Sequence, residues 1–246
     1  MFNYKHYIPI LKWKQGEYQA LFRLSNTVKD SLTPLLEIPN VGYDHEERRA
    51  RESIDDHLGD FGRRLKAKWH NRQCFVDTKY IPPTTRMLDG RHFIERVFEL
   101  ARNERCQAIP VVGLSNDAPS LAATATVIRT DRRGAALRLV MFDFDRSNLA
   151  AEIVRVLTAI GISHADTDLI IDVGSPPSFQ PITAFVRMMR PLIQMIPMLN
   201  RWRTFTIVGT SYPTSVSGLA TPFEVIPRQE WIAYQNLVVC FVISYH

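Results

Sequence analysis

Lysines and carboxylates recur where the apolar runs of this chain end. Those ends supply Lys12 and Lys14, then Glu37, Asp77 with Lys79, Asp143 with Asp145, Asp172, and finally Ser211 with Tyr212. Side chains two apart on an extended segment share a face, so Lys12 with Lys14, Asp77 with Lys79, and Asp143 with Asp145 can each point together. A charge that closes a buried apolar run is informative, because charged side chains are seldom buried unless paired. Gathered at one mouth, Glu37, Asp77, Asp143 and Asp172 could work as acid–base groups or hold a hard divalent cation through oxygen, with Lys12, Lys14 and Lys79 facing an anion. Such a set suits a phosphorylated or nucleotide-like substrate. The same residues could instead pair as ions at a rim and fix strand ends, since ion-pair networks collect there too. Geometry separates the readings: carboxylates grouped around an open pocket favour chemistry, and carboxylates each held by an arginine do not.

Other motifs are weaker. Lys12, Lys14, Gly16 and Glu17 crowd the segment after the first apolar run, where Gly16 permits a tight turn and two amines could meet phosphate. The stretch lacks the spaced glycines of a P-loop or dinucleotide fingerprint. The plainer reading packs Trp13 and places Glu17 at a helix N-terminus. The histidines form no HExxH, no HxH and no Cys pairing at ligand spacing, which argues against zinc. Ser211 lacks the GxSxG elbow of a serine hydrolase.

The elements that must position these residues follow from periodicity. Short runs rich in Val, Ile, Leu or Phe occupy 7–11, 33–38, 74–80, 108–114, 137–144, 168–173 and 204–209, with 238–243 as an eighth. Helix-period segments lie between them. Ile54, Leu58, Phe61 and Leu65 make one face of a helix predicted over 46–69, and Phe93, Val97 and Leu100 do the same over 91–105. Ser147 can cap a helix striped by Leu149, Ile153, Val156 and Ile160, and Gly161 can close it. Strand and helix alternating at roughly thirty residues per unit predict an α/β fold, a (β/α)8 barrel in one domain over 1–246, with working residues at the C-terminal ends of the strands.

Composition agrees with that class. The chain has 246 residues, 46% hydrophobic and 22% charged, and a formal charge of +5, which excludes a disordered or collagen-like chain. Its three cysteines, Cys74, Cys106 and Cys240, form no CxxC, so a reducing, cytoplasmic setting is expected. The most membrane-like stretch, 182–199, carries Arg187 and Arg190 and is broken by Pro191 and Pro197, so no membrane span is expected. Arg48, Arg49 and Arg51, with Arg63, Arg64, Lys66 and Lys68, fall on the helix predicted over 46–69. Acidic residues interleave with them there, which argues for a solvated face over a nucleic-acid stripe.

The opening Tyr7-Ile-Pro-Ile-Leu-Lys-Trp-Lys-Gln-Gly-Glu-Tyr-Gln-Ala-Leu, followed by Thr33-Pro-Leu-Leu-Glu-Ile-Pro, resembles the bacteriophage beta protein family of phages, prophages and bacterial defence islands. Phe75-Val-Asp-Thr-Lys, and Thr210-Ser-Tyr-Pro before Arg228-Gln-Glu-Trp, look like later parts of the same pattern. The resemblance implies a role in phage exclusion or host defence, binding or restraining a toxin-like or defence-system partner encoded nearby, and implies no particular reaction or cofactor. Family members run longer and carry an acidic, glycine-containing strand end after the Trp-containing helix. Here that region reads Asn236-Leu-Val-Val-Cys-Phe-Val-Ile-Ser-Tyr-His246. The expectation is a truncation or frameshift near Asn236 that leaves the last strand–helix unit incomplete.

Overall fold

Short apolar runs with β-branched residues pair through their backbones and send alternate side chains to opposite faces. The computed structural model describes residues 5–44, 49–50, 52–175, 179–211, 225 and 227–243. In chain order its elements begin with β1 (Ile10–Lys12), α1 (Gln15–Arg23), α2 (Asn26–Asp30) and β2 (Leu35–Glu37). A small hairpin of β3 (Tyr43–Asp44) and β4 (Arg49–Ala50) precedes α3 (Ile54–Gly59), α4 (Phe61–Trp69), β5 (Gln73–Asp77) and α5 (Phe93–Asn103). Then come β6 (Gln107–Val112), α6 (Ala118–Asp131), β7 (Ala135–Val140) and α7 (Leu149–Ile160). β8 (Thr167–Asp172), α8 (Ile182–Gln194), β9 (Thr204–Val208) and α9 (Gln229–Ile243) complete the order.

One seven-stranded sheet runs β1-β2-β5-β6-β7-β8-β9, all parallel. Each strand lies beside the one before it, with helices between, which is the winding of a (β/α)8 barrel. The sheet is curled. Arg138 on β7 bonds Glu37 on β2, three strand spacings away or about 14 Å in a flat sheet. Side chains standing off a flat sheet do not meet across that distance. The inner face is filled by Ile10, Leu35, Phe75, Ile109, Ala136, Ile170 and Val208, one from each strand. The outer face carries Leu36, Cys74 and Val76 against α4 and α5, and Leu137, Leu139, Leu169 and Ile171 against α6, α7 and α8. At the N-terminal end of the strands Arg203 Nη2 holds Asp168 at 2.5 Å and Thr204 Oγ1 donates to Asp168 at 2.8 Å, closing that end.

Three expectations are corrected. The run 238–243 belongs to α9 and is not an eighth strand; a short apolar run reads alike for a buried strand and a helix, and here it continues a helix begun at Gln229. The single helix over 46–69 is the β3–β4 hairpin followed by two helices. Ser53 starts α3 by accepting from the Asp56 backbone N–H at 3.1 Å, and the chain breaks at Asp60 before α4. The two basic runs are thereby separated: Arg49 is in the hairpin and Arg63, Arg64, Lys66 and Lys68 are on α4. Asn148, not Ser147, stands at the N-cap of α7, while Gly161 closes it at φ 74°. Cys74 and Cys106 are buried free thiols whose burial pushes both pKa values up. Among the described residues no helix is long and apolar enough to cross a membrane.

Candidate functional site

Alternation along β7 sends Leu137 and Leu139 to the outer core and Ala136 and Arg138 inward. The inward arginine organises the C-terminal mouth of the sheet. Its Nη1 donates to Glu37 Oε1 at 2.8 Å and to Asp77 Oδ2 at 2.6 Å. Its Nε and Nη2 both reach Asp172 Oδ2, at 2.9 and 2.5 Å. Lys79 Nζ lies 2.8 Å from Glu37 Oε1, the same oxygen that Arg138 uses. Backbone N–H groups complete the set: Lys79 donates to Asp77 Oδ1 at 2.9 Å and Gly174 to Asp172 Oδ1 at 2.8 Å. Strand register explains the convergence, because Lys12, Glu37 and Asp77 are lateral partners on β1, β2 and β5.

Burial splits the two carboxylates that share Nη1. Burial would raise Glu37, but hydrogen bonds from Lys79 and Arg138 and their charges bring its carboxyl below the ordinary range. Asp77 is more deeply enclosed, and burial outweighs the Arg138 charge, so its carboxyl is pushed up. Arg138 is itself buried, yet the surrounding carboxylates hold it firmly charged.

The structure therefore brings Glu37, Asp77, Lys79 and Asp172 to one point, and the guanidinium occupies the place expected for a divalent cation. Among the described residues no group of three or more His, Cys, Asp or Glu is arranged to hold a metal ion. Lys12 reaches the same mouth, its ammonium 5.7 Å from the centre of the Tyr80 ring, with the Lys79 ammonium 4.9 Å from that centre. Asp143 is set apart. Its carboxylate accepts from the Val140 N–H and from Arg146 Nε, both at 3.0 Å, so it first serves the turn that follows β7.

The remaining residues go elsewhere. Lys14 is the exposed N-cap of α1, and Gly16 lies in its first turn with open space where a Cβ would stand, so the tight turn expected there is a helix start. Trp13 packs on Tyr18 and Phe61, and Glu17 accepts from the Lys12 N–H at 2.5 Å. Ser211 caps α9: its hydroxyl donates to Glu230 Oε2 at 2.5 Å and accepts from the Glu230 N–H at 3.1 Å. Tyr212 is outside the described residues.

A cavity of about 270 Å³ opens beside Arg138 between the ends of β5, β6 and β7, lined by Asp77, Thr78, Lys79, Asn116, Arg138 and Asp143 among others. Sequence reasoning missed Arg138, Thr78 and Asn116. Arg138 had a readable signal: it is a lone charge inside the apolar run Ala135-Ala-Leu-Arg-Leu-Val140. Thr78 and Asn116 carried none, since loop hydroxyls and amides are common.

Residues 7–243 match the family described as Beta protein. No curated protein matches the chain. A solved structure of the tryptophan synthase a2b2 complex from the hyperthermophile Pyrococcus furiosus is similar over 85% of this chain and 88% of that chain, at 12% identity and a TM-score of 0.37.

Proposed function

The chain belongs to the Beta protein family, and we propose that this member binds and acts on a small phosphorylated molecule at the C-terminal mouth of its sheet. One observation carries the reading: Asp77, Lys79 and Arg138 line an open cavity together with Asp143. Arg138 also holds Glu37, Asp77 and Asp172, the pairing expected of an ion-pair rim, so Glu37 and Asp172 are read as supports and not as reacting groups. Stability alone does not call for such a group, because apolar side chains of similar volume fill a barrel interior at least as well as buried ion pairs. In this reading Asp77, which lines the cavity with a raised carboxyl, is the acid–base group. Glu37 and Asp172 fix Arg138 in place, and Lys79 and Lys12 meet the phosphate.

The test is a thermal-shift titration with inorganic phosphate and phosphate monoesters on the parent and on Lys79→Ala. Phosphate is expected to stabilise the parent, by about 2.7 kcal/mol at a hundredfold excess over Kd, and the variant much less. No shift with any phosphate compound overturns the reading. A second reading, restraint of a toxin-like or defence-system protein in phage exclusion, draws on a different observation. An apolar hollow of about 390 Å³, lined in part by Met141, Val173, Phe179, Phe185 and Met188, lies beside Phe142, which is 72% exposed. A stable complex with the product of a neighbouring gene, together with no phosphate response, is the outcome that favours it.

A further inference from the structure

We infer that the cavity between the ends of β5, β6 and β7 receives the hydroxyl-bearing part of a phosphorylated polyol or sugar, and not a nucleobase. The inference rests on the mouth reading above and specifies the substrate class.

Thr78 supplies the first argument. It is 9% exposed, it lines the cavity, and its hydroxyl has no hydrogen-bond partner among the described residues. A hydroxyl that no protein group bonds and that is not sealed away from solvent is open to a ligand in the cavity. Its neighbours in the wall are of matching chemistry. Asn116 Oδ1 accepts from the Gly113 N–H at 2.6 Å, leaving the amide N–H groups of its side chain to donate. The carboxylates of Asp77 and Asp143 each take donors from the protein and retain lone pairs for further ones. The polar part of the wall both donates and accepts, as alcohol groups do, while Ile81, Ile94, Val111, Val112 and Leu114 make an apolar side that the carbon skeleton of such a ligand can lie against.

Size and the absence of an open ring give the second argument. The cavity of about 270 Å³ is below the roughly 300–1,000 Å³ of pockets that enclose drug-sized ligands. Base recognition in single-stranded nucleic acids and nucleotides relies on a stacking face. Among the described residues the one aromatic side chain of the lining, Phe93, is buried at 2% exposure, and the Tyr80 ring at the rim faces the ammoniums of Lys12 and Lys79. Those two lysines stand at the mouth, where the phosphate of a ligand seated in the cavity would emerge.

The experiment is calorimetric titration of the full chain with inorganic phosphate, a hexose monophosphate and adenosine monophosphate, repeated on Thr78→Val and Thr78→Ser. The hexose phosphate is expected to bind at least tenfold more tightly than inorganic phosphate, and adenosine monophosphate no more tightly than inorganic phosphate. Thr78→Val, which keeps the shape and removes the hydroxyl, is expected to weaken the hexose phosphate about tenfold and leave inorganic phosphate unchanged, and Thr78→Ser to restore binding. Adenosine monophosphate binding more tightly than the hexose phosphate, or no effect of Thr78→Val, overturns the inference while the mouth reading stands. Failure of every phosphate compound to bind overturns both.

Discussion

Arg138 decides the charge state of the mouth, and its two partners on Nη1 respond to pH with opposite sign. Glu37 is held below its ordinary value of 4.5, so it adds stability that is present above that pH and is lost as pH falls through its folded value. Asp77 is held above 3.8, so the folded state grips its proton more tightly than the unfolded chain does, and its contribution declines as pH rises through that window. Glu37→Gln is therefore expected to cost roughly 1.5–3 kcal/mol at pH 7, the range for hydrogen bonds to charged groups, with the cost shrinking below about pH 4.5. Asp77→Asn is expected to cost less than Glu37→Gln at neutral pH. Urea unfolding of both variants at pH 7 and pH 4 checks the pair, and a Glu37→Gln cost that is flat with pH would contradict it.

Between elements, the close approach of α4 to α5 is set by a glycine. A Cβ on Gly62 of α4 would stand 2.2 Å from the Leu100 carbonyl oxygen of α5, so these helices touch backbone to side-chain-free backbone. Their mutual packing also seats Leu65, Trp69, Val97 and Phe98, all buried. Gly62→Ala is expected to destabilise by about 1–3 kcal/mol, the usual cost of overfilling a packed core. Gly59→Ala is the control, because nothing lies within 4 Å of a Cβ there and its φ is not positive; it is expected to be neutral or slightly stabilising. Equal costs for both would refute the argument. The same region shows why the helix predicted over 46–69 divides: its apolar stripe is continuous at helical spacing, but the Ser53 cap and the break at Asp60 are local backbone events that the stripe does not encode.

Across the whole molecule, the strands differ in how firmly they are held. β5, β6, β7 and β8 have neighbours on both sides and are nearly all buried, whereas among the described residues β1 and β9 each pair on one side and are partly exposed. Amide exchange is expected to be slowest in β5–β8 and at least tenfold faster in β1 and β9, and uniform protection across the sheet would count against this. The repeated run of Val, Ile and Leu at about thirty-residue intervals was enough to determine the parallel α/β winding and the positions of seven strands, because burial on both faces leaves a composition that no loop shares. It also determined that charges close those strands, as Glu37, Asp77 and Asp172 do. Only the tertiary structure decided what the charges do together. The curl of the sheet brings β2 within reach of β7, so Arg138 gathers carboxylates 101, 61 and 34 residues away in sequence. Asp143, in the helical turn past the end of β7, bonds instead to that turn, and Val140 is the β7 partner of Asp172 in register. Sequence spacing sets which face a side chain occupies, but the distance between strand ends depends on how the whole sheet bends.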